Sequence, residues 1–158
     1  MSQEYFEPTG PWEAELTELQ QRRHQARQMG GPEAVAKYKA RGRQTAHERI
    51  DALLDAGSFR EMGRITGKGR YDADGHFESL SPVNAIIGTG RIGGRKLVVS
   101  ADDYTIRAGS SEGSLSDKWV YAERMALTLR MPIVRLVDTA GGSVKLLAQM
   151  QGTKIPGY

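Results

Sequence analysis

Apolar positions recur along this chain with two different periods, and the change of period divides it. From Trp12 the spacing is helical, through Trp12, Leu16 and Leu19 and on to Ala26 and Met29. Gly30-Gly31-Pro32 breaks that helix. Pro32 suits the first turn of a second helix, which carries Val35 and Tyr38 and stops at Gly42. Thr45-Ala46-His47-Glu48 is a capping box ahead of Ile50, Leu53 and Leu54, which share one face, with Gly57 placed as the C-terminal stop. Residues 1–57 therefore predict a loose arm, Met1 to Pro11, and three helices.

Beyond residue 57 short apolar runs replace the helical spacing. Phe59 to Gly63 predicts a short strand, and the polar, Gly-rich stretch Gly67 to Ser81 a loop or an irregular hairpin. Val83 to Thr89 and Arg95 to Ala101 predict two strands joined by Gly93-Gly94, a two-residue hairpin signal. The run Leu97-Val98-Val99-Ser100-Ala101 is apolar enough for burial on both faces. Asp102 to Gly113 is a loop of hydroxyls and small residues. Helical spacing resumes near Ser114, in Leu115, Trp119, Ala122, Met125, Ala126 and Leu129. Pro132 ends that helix and launches a β-branched strand, Ile133 to Val137. After Asp138 the chain turns through Thr139-Ala140-Gly141-Gly142 into an apolar segment, Val144 to Met150, that reads as a helix.

Strand, loop, helix and strand make a βαβ unit, whose two strands should run parallel with a right-handed crossover. The loop after Ala101 and the turn after Asp138 then share the carboxyl edge of the sheet, where such sheets bind ligands. A Gly-rich turn into a helix presents backbone N–H groups able to hold an anion, or the oxyanion developing on a carbonyl. Taken alone, this turn is equally a tight connection without a ligand; two Gly/Ser-rich loops meeting at one edge favour a site. Asp138 is placed to act as a base, but a residue closing a strand more commonly fixes the turn.

Composition narrows the function. A chain of 158 residues with 39% apolar and 26% charged positions builds a core and is not a disordered chain. Having no cysteine, it lacks disulfides, thiolate metal sites and a thiol nucleophile, and it suits a reducing compartment. No apolar run reaches spanning length and no secretion signal opens the sequence, so the expected setting is cytoplasmic, away from membranes. The net charge of +3 owes much to Arg22, Arg23, Arg27, Lys37, Lys39, Arg41 and Arg43. Solvated faces of amphipathic helices account for these. A nucleic-acid partner is not expected, whereas a basic rim suits a substrate carrying phosphates. His24, His47 and His76 have no partner at ligand spacing, so no metal site is expected, and His47 falls to the cap region. The three helices offer no polar constellation for chemistry, which leaves packing or subunit contact as their role.

The segment Thr45-Ala46-His47-Glu48-Arg49-Ile50-Asp51-Ala52-Leu53-Leu54-Asp55-Ala56-Gly57-Ser58-Phe59 resembles an N-terminal pattern of biotin-dependent acyl-CoA carboxyltransferase subunits. That family includes the propionyl-CoA and methylcrotonyl-CoA carboxylase β chains. The run from Gly88 to Arg95, then Ser100 to Thr105, then Gly109-Ser110, and last Asp138-Thr139-Ala140-Gly141-Gly142, follow in the family's order. The likeness extends from about Arg41 to Met150.

The resemblance implies an α/β, crotonase/ClpP-like spiral of ββα units over residues 58–158, present here as the incomplete carboxyltransferase N-domain, with the helices of 1–57 before it. It implies transfer of a carboxyl group between carboxybiotin and the α-carbon of an acyl-CoA. In that scheme Gly141 and Gly142 are the oxyanion donors, and Ala108, Gly109, Ser110 and Ser143 line the acyl-CoA. Biotin rides on a separate carrier protein or domain, and the proton is taken without a protein base. Family members often read Asp-Ser-Gly-Gly-Ala-Arg where this chain carries an extra Ala140 and has Val144 in place of Arg, which leaves Gly142 with Ser143 as an alternative register. Family chains are also much longer. A biotin carboxylase or carrier subunit, a C-terminal carboxyltransferase half and a homo-oligomer are therefore the expected partners. The alternatives are a non-catalytic fragment that binds CoA or assembles subunits, and a relative that decarboxylates acyl-CoA.

Overall fold

In the computed structural model, which describes residues 10–110, 117–142 and 148, two long strands centre the main sheet. β4 (Ala85–Ile92) and β5 (Arg95–Asp102) pair antiparallel around the Gly93-Gly94 turn, with Ile92 opposite Arg95. Asp55 pins this turn. Its two carboxylate oxygens accept the N–H groups of Gly93 and Gly94, each at 2.8 Å, and these bonds hold the carboxyl below its ordinary range. β1 (Arg60–Met62) joins the far side of β4, and β6 (Ile133–Leu136) joins β5 in parallel, giving the order β1-β4-β5-β6. The polar stretch expected to be irregular is a separate hairpin of β2 (Gly67–Tyr71) and β3 (Phe77–Pro82), with a register shift between Arg70 and Tyr71.

Alternation along β5 builds two cores. Val98 faces one side of the sheet and Val99 the other, and both are 0% exposed, so β5 is buried on both faces as its composition predicts. Val99, with Leu97 and Ala101, packs under α3 (Ala46–Leu53) through Ala46 and Ile50, joined by Leu54 just beyond the helix. Val98 and Ile87 pack under α4 (Asp117–Leu129) through Ala122 and Ala126. Each fully buried Val or Ile contributes roughly 1.5–3 kcal/mol.

α3 begins as its sequence predicts. Thr45 Oγ1 accepts the Glu48 N–H, and the Glu48 carboxylate accepts the Thr45 N–H at 2.8 Å. It stops at Leu53, earlier than the expected Gly57. The reason is packing: Leu54 turns extended and lays its side chain over Gly90, where a Cβ would come within 2.4 Å of it. The Asp55 N–H then bonds Arg91 O, joining the chain to the end of β4.

α1 (Glu13–Arg27) lies on the β2–β3 hairpin. The Arg22 guanidinium stands 4.4 Å from the Phe77 ring centre and 5.5 Å from that of Tyr71. α2 (Pro32–Lys39) starts at Pro32 as expected. The predicted start of α4 near Ser114 lies outside the described residues. So does the apolar segment Val144 to Met150, apart from Ala148, which is helical. No helix among the described residues is long and apolar enough to cross a membrane.

Candidate functional site

The parallel pairing of β5 and β6 brings the loop after Asp102 and the turn after Leu136 to one edge, as the βαβ pattern requires. They are bonded together there. The Asp138 N–H donates to Asp102 Oδ2 at 3.1 Å, the Ala140 N–H to Ala108 O at 2.9 Å, and the Thr139 hydroxyl to Gly109 O at 2.7 Å. The approach is so close at Gly109 that a Cβ would stand 2.3 Å from Asp138 O.

The loop meets this turn in an unusual conformation. Arg107, Ala108 and Gly109 have φ of 51°, 53° and 66°, three left-handed residues in succession. For a residue with a Cβ this region costs roughly 1–2 kcal/mol, so the conformation survives because its surroundings hold it. The Gly109 N–H bonds Ile106 O, while the N–H and hydroxyl of Ser110 both donate to Arg107 O. Asn84 Nδ2 donates to Ser110 O.

The structure thus joins Ala108 and Gly109 directly to Thr139 and Ala140, with Ser110 at the loop's far end. Gly141 and Gly142 follow on the surface, both exposed. Gly141 has φ of 93°, and its N–H donates to Thr139 Oγ1 at 3.0 Å. Thr139 Oγ1 therefore links Gly141 to Gly109. Ser143 lies outside the described residues.

A second layer was not visible in the motifs. The helical region predicted to lack polar constellations sends Tyr38 of α2, Arg43 of the α2–α3 connection and Arg49 of α3 to Asp138. Tyr38 donates its hydroxyl to Asp138 Oδ2, Arg43 Nη1 lies 3.3 Å from Oδ1, and Arg49 Nη2 lies 3.7 Å from Oδ2. Tyr38 also stacks on Tyr104, with ring centres 5.5 Å apart, and burial together with Asp138 pushes its hydroxyl pKa up. These residues stand about a hundred positions from Asp138 in sequence, beyond the reach of any local pattern. Asp138 fixes the turn: donors from α2, α3 and the connection between them occupy both its oxygens.

The adjoining carboxylate is deeper. Asp103 Oδ1 accepts the Thr105 N–H and hydroxyl at 2.9 and 2.6 Å, while Oδ2 is buried without a hydrogen-bond partner among the described residues. Burial pushes the pKa of both Asp102 and Asp103 up, against hydrogen bonds that pull the other way. Thr105 Oγ1 in turn accepts the Gly30 N–H at 2.9 Å, which seats the α1–α2 corner on the loop. Between that corner and the β2–β3 hairpin opens a cleft of about 680 Å³, whose lining includes His24, Lys68, Asn84, Ser79 and Arg107.

The histidines call for one correction. His47 stands 3.5 Å from Glu61, and His24 bonds Gln28. His76, expected to lack a partner at ligand spacing, has Asp72 and Asp74 beside it, with their ligand atoms within 4.8 Å of one another. The hairpin turn gathers them. Asp72 Oδ1 accepts the N–H groups of Asp74 and His76, and this turn chemistry accounts for the trio.

These features define a class: an α/β unit of crotonase-like fold, in which the loops after two parallel strands meet at one edge of the sheet. Residues 37–154 match the carboxyl transferase domain, and the chain belongs to that family. It is 35% identical over 135 residues to the propionyl-CoA carboxylase beta chain of Saccharopolyspora erythraea, covering 82% of this chain and 24% of that one. With the propionyl-CoA carboxylase carboxyltransferase subunit of Haloferax mediterranei it shares 32% over 141 residues, covering 89% and 27%. Among solved structures, transcarboxylase 12S with methylmalonyl-coenzyme A and methylmalonic acid bound, described as a hexamer assembly, superposes with a TM-score of 0.72 at 28% identity. That match covers 88% of this chain and 27% of the other. The β subunit of Pseudomonas aeruginosa geranyl-CoA carboxylase, at 23% identity and a TM-score of 0.69, shares the fold. The chain spans about a quarter of the length of the curated relatives it matches. The family and fold drawn from the motifs are both borne out.

Proposed function

We propose that this chain forms part of a carboxyltransferase that moves a carboxyl group between carboxybiotin and the α-carbon of an acyl-CoA. The observation that carries the reading is the bonded meeting of the Ala108–Ser110 loop with the Thr139–Gly142 turn, in a chain of this family. The backbone N–H groups of the Gly141-Gly142 turn stabilise the charge on the thioester oxygen when the α-proton leaves, a charge present chiefly in the enolate. The Gly141 N–H is engaged by Thr139 Oγ1, so the substrate oxygen competes with that hydroxyl for it. Ser143 remains the alternative second donor and a substrate contact. Ala108, Gly109 and Ser110 line the thioester, and the cleft beside them suits the phosphate-bearing end of the substrate, with His24, Lys68 and Arg107 in its wall.

Biotin supplies the carboxyl group from a separate carrier protein or domain. Lys68 and Arg107 in the cleft wall favour an anionic ligand over a neutral ring, so no biotin contact is assigned to this chain. Asp138 is not the base, since its oxygens are occupied by Tyr38 and Arg43. The partners we propose are a C-terminal carboxyltransferase half, a biotin carboxylase or biotin carrier subunit, and further copies of the subunit, in a cytoplasmic setting. The test is Gly142→Val in the complete carboxyltransferase. We expect acyl-CoA carboxylation to be abolished; an unchanged kcat/KM overturns the assignment. CoA binding without turnover in the wild-type assembly would favour the non-catalytic fragment, and malonyl-type thioester cleavage without ATP would favour a decarboxylase.

A further inference from the structure

The geometry points to Arg49 as a positioning residue that sets the spacing of the two strand ends and so aims the amides of the Gly141-Gly142 turn. Arg49 stands on α3, outside the loops that carry the turn and the thioester lining. Its guanidinium bridges two backbone carbonyls: Nη2 donates to Asp102 O at 2.6 Å, at the end of β5, and Nη1 to Leu136 O at 3.2 Å, at the end of β6. Ala101 with Leu136 is the last register pair of the two parallel strands, and the planar fork spans the strand ends there, from Leu136 to Asp102. Nη2 also lies 3.7 Å from the Asp138 carboxylate, so the same group meets the first residue of the turn. Its side chain is 19% exposed, and Nε is buried without a hydrogen-bond partner among the described residues. The backbone contacts therefore hold the cation where solvent reaches little of it. A lysine has no fork, and its single ammonium cannot hold both carbonyls in the same geometry.

This inference rests on the reading of Gly141 and Gly142 as oxyanion donors, and its test separates the two. Amide hydrogen exchange on the 158-residue chain examines the clamp without any chemistry. Arg49→Met keeps the apolar stem and removes both donors. We expect the Asp138 and Ala140 amides to exchange about tenfold faster, with Val98 and Val99 in the core of β5 unchanged. Equal acceleration at all four amides, or none at any, overturns the proposal. In the complete carboxyltransferase, Arg49→Met should lower kcat by about a hundredfold, as expected for misplacement of a donor by about 1 Å, with the acyl-CoA KM within about threefold. Arg49→Lys should recover part of kcat. Selective loss of protection with unchanged kcat overturns the positioning role while leaving the oxyanion reading to Gly142→Val, which tests it independently.

Discussion

The backbone N–H of Ala140 donates to the carbonyl of Ala108 at 2.9 Å, and this bond joins the turn after β6 to a left-handed residue of the loop after β5. The relationship is reciprocal. The loop holds an unfavourable conformation because the turn bonds it, and the turn keeps its course because the loop offers Ala108 O and Gly109 O as acceptors. Two segments with weak local preferences thus specify each other, through a parallel strand pairing formed elsewhere.

Substitution at neighbouring positions of this loop should therefore have opposite signs. Gly109→Ala adds a Cβ at φ of 66° that would stand 2.3 Å from Asp138 O, and it should cost roughly 2–4 kcal/mol by combining left-handed strain with a backbone clash. Ala108→Gly removes the penalty at φ of 53° and should be neutral or stabilising by up to about 1 kcal/mol, after the extra freedom of the unfolded chain is counted. Urea denaturation reads both as midpoint shifts at constant slope.

The helices should respond according to which of their faces meets the sheet. Ile50, 0% exposed on the sheet-facing side of α3, packs with Val99, and its replacement by Ala should cost about 2–5 kcal/mol. Leu127 of α4 is 80% exposed, and the same change there should stay within about 0.5 kcal/mol. A comparable loss at both positions would mean that Leu127 is covered in solution.

Lys118 predicts a pH dependence. Burial, partly offset by Glu61, pulls its pKa from 10.5 to about 8, while Nζ donates to Gly63 O at 2.9 Å. Between those values the unfolded chain binds the proton and the folded chain does not, so this group makes stability rise with pH from about 8 to 10.5. The full span corresponds to a contribution on the order of 3 kcal/mol. Lys118→Met should flatten that rise when denaturant midpoints are compared across the window. A rise of the same size in the variant would assign it to other groups.

Glu48 works at the acid end in the same direction, because its folded-state pKa is lowered too. Hydrogen bonds from Lys39 and then from Thr45 hold its carboxyl at about 2, below the ordinary 4.5. Its stabilising effect is complete above 4.5 and is lost as the pH falls towards 2. Glu48→Gln should reduce the loss of stability over that interval, seen as a shallower acid limb in thermal melts. An unchanged limb would show that the cap does not titrate there.

What was legible in the sequence follows from how far apart the cooperating residues lie. The Thr45–Glu48 cap, the Gly93-Gly94 turn and the burial of β5 on both faces depend on neighbours within a few positions, and local patterns announced them. The βαβ pattern carried further, because the handedness of the crossover fixes where two distant loops meet. Leu54 marks the first limit: its departure from α3 answers to Gly90, on a strand that the helix cannot sense locally. Asp138 marks the second. In the sequence Tyr38 reads as an apolar helix position, Arg43 as part of a solvated basic face and Arg49 as part of the Thr45–Phe59 segment, and only the folded chain sets them at the strand ends. The run of left-handed residues at Arg107 and Ala108 had no signal either, because neither side chain favours that region and tertiary bonds impose it.

Thr139 brings these threads to one hydroxyl. Its Oγ1 donates to Gly109 O at 2.7 Å and accepts the Gly141 N–H at 3.0 Å, so it both secures the loop and occupies a proposed oxyanion donor. If the first function dominates, Thr139→Val loosens the thioester-lining loop, and the acyl-CoA KM rises by about tenfold, the equivalent of one hydrogen bond. Thr139→Ser keeps both bonds and should stay near wild type. We expect this outcome, because loss of the Gly109 bond also exposes the left-handed turn to relaxation. A higher kcat in Thr139→Val at unchanged KM would reverse the ranking. It would mean that the hydroxyl restrains Gly141, and that both glycine amides serve the reaction once it is gone.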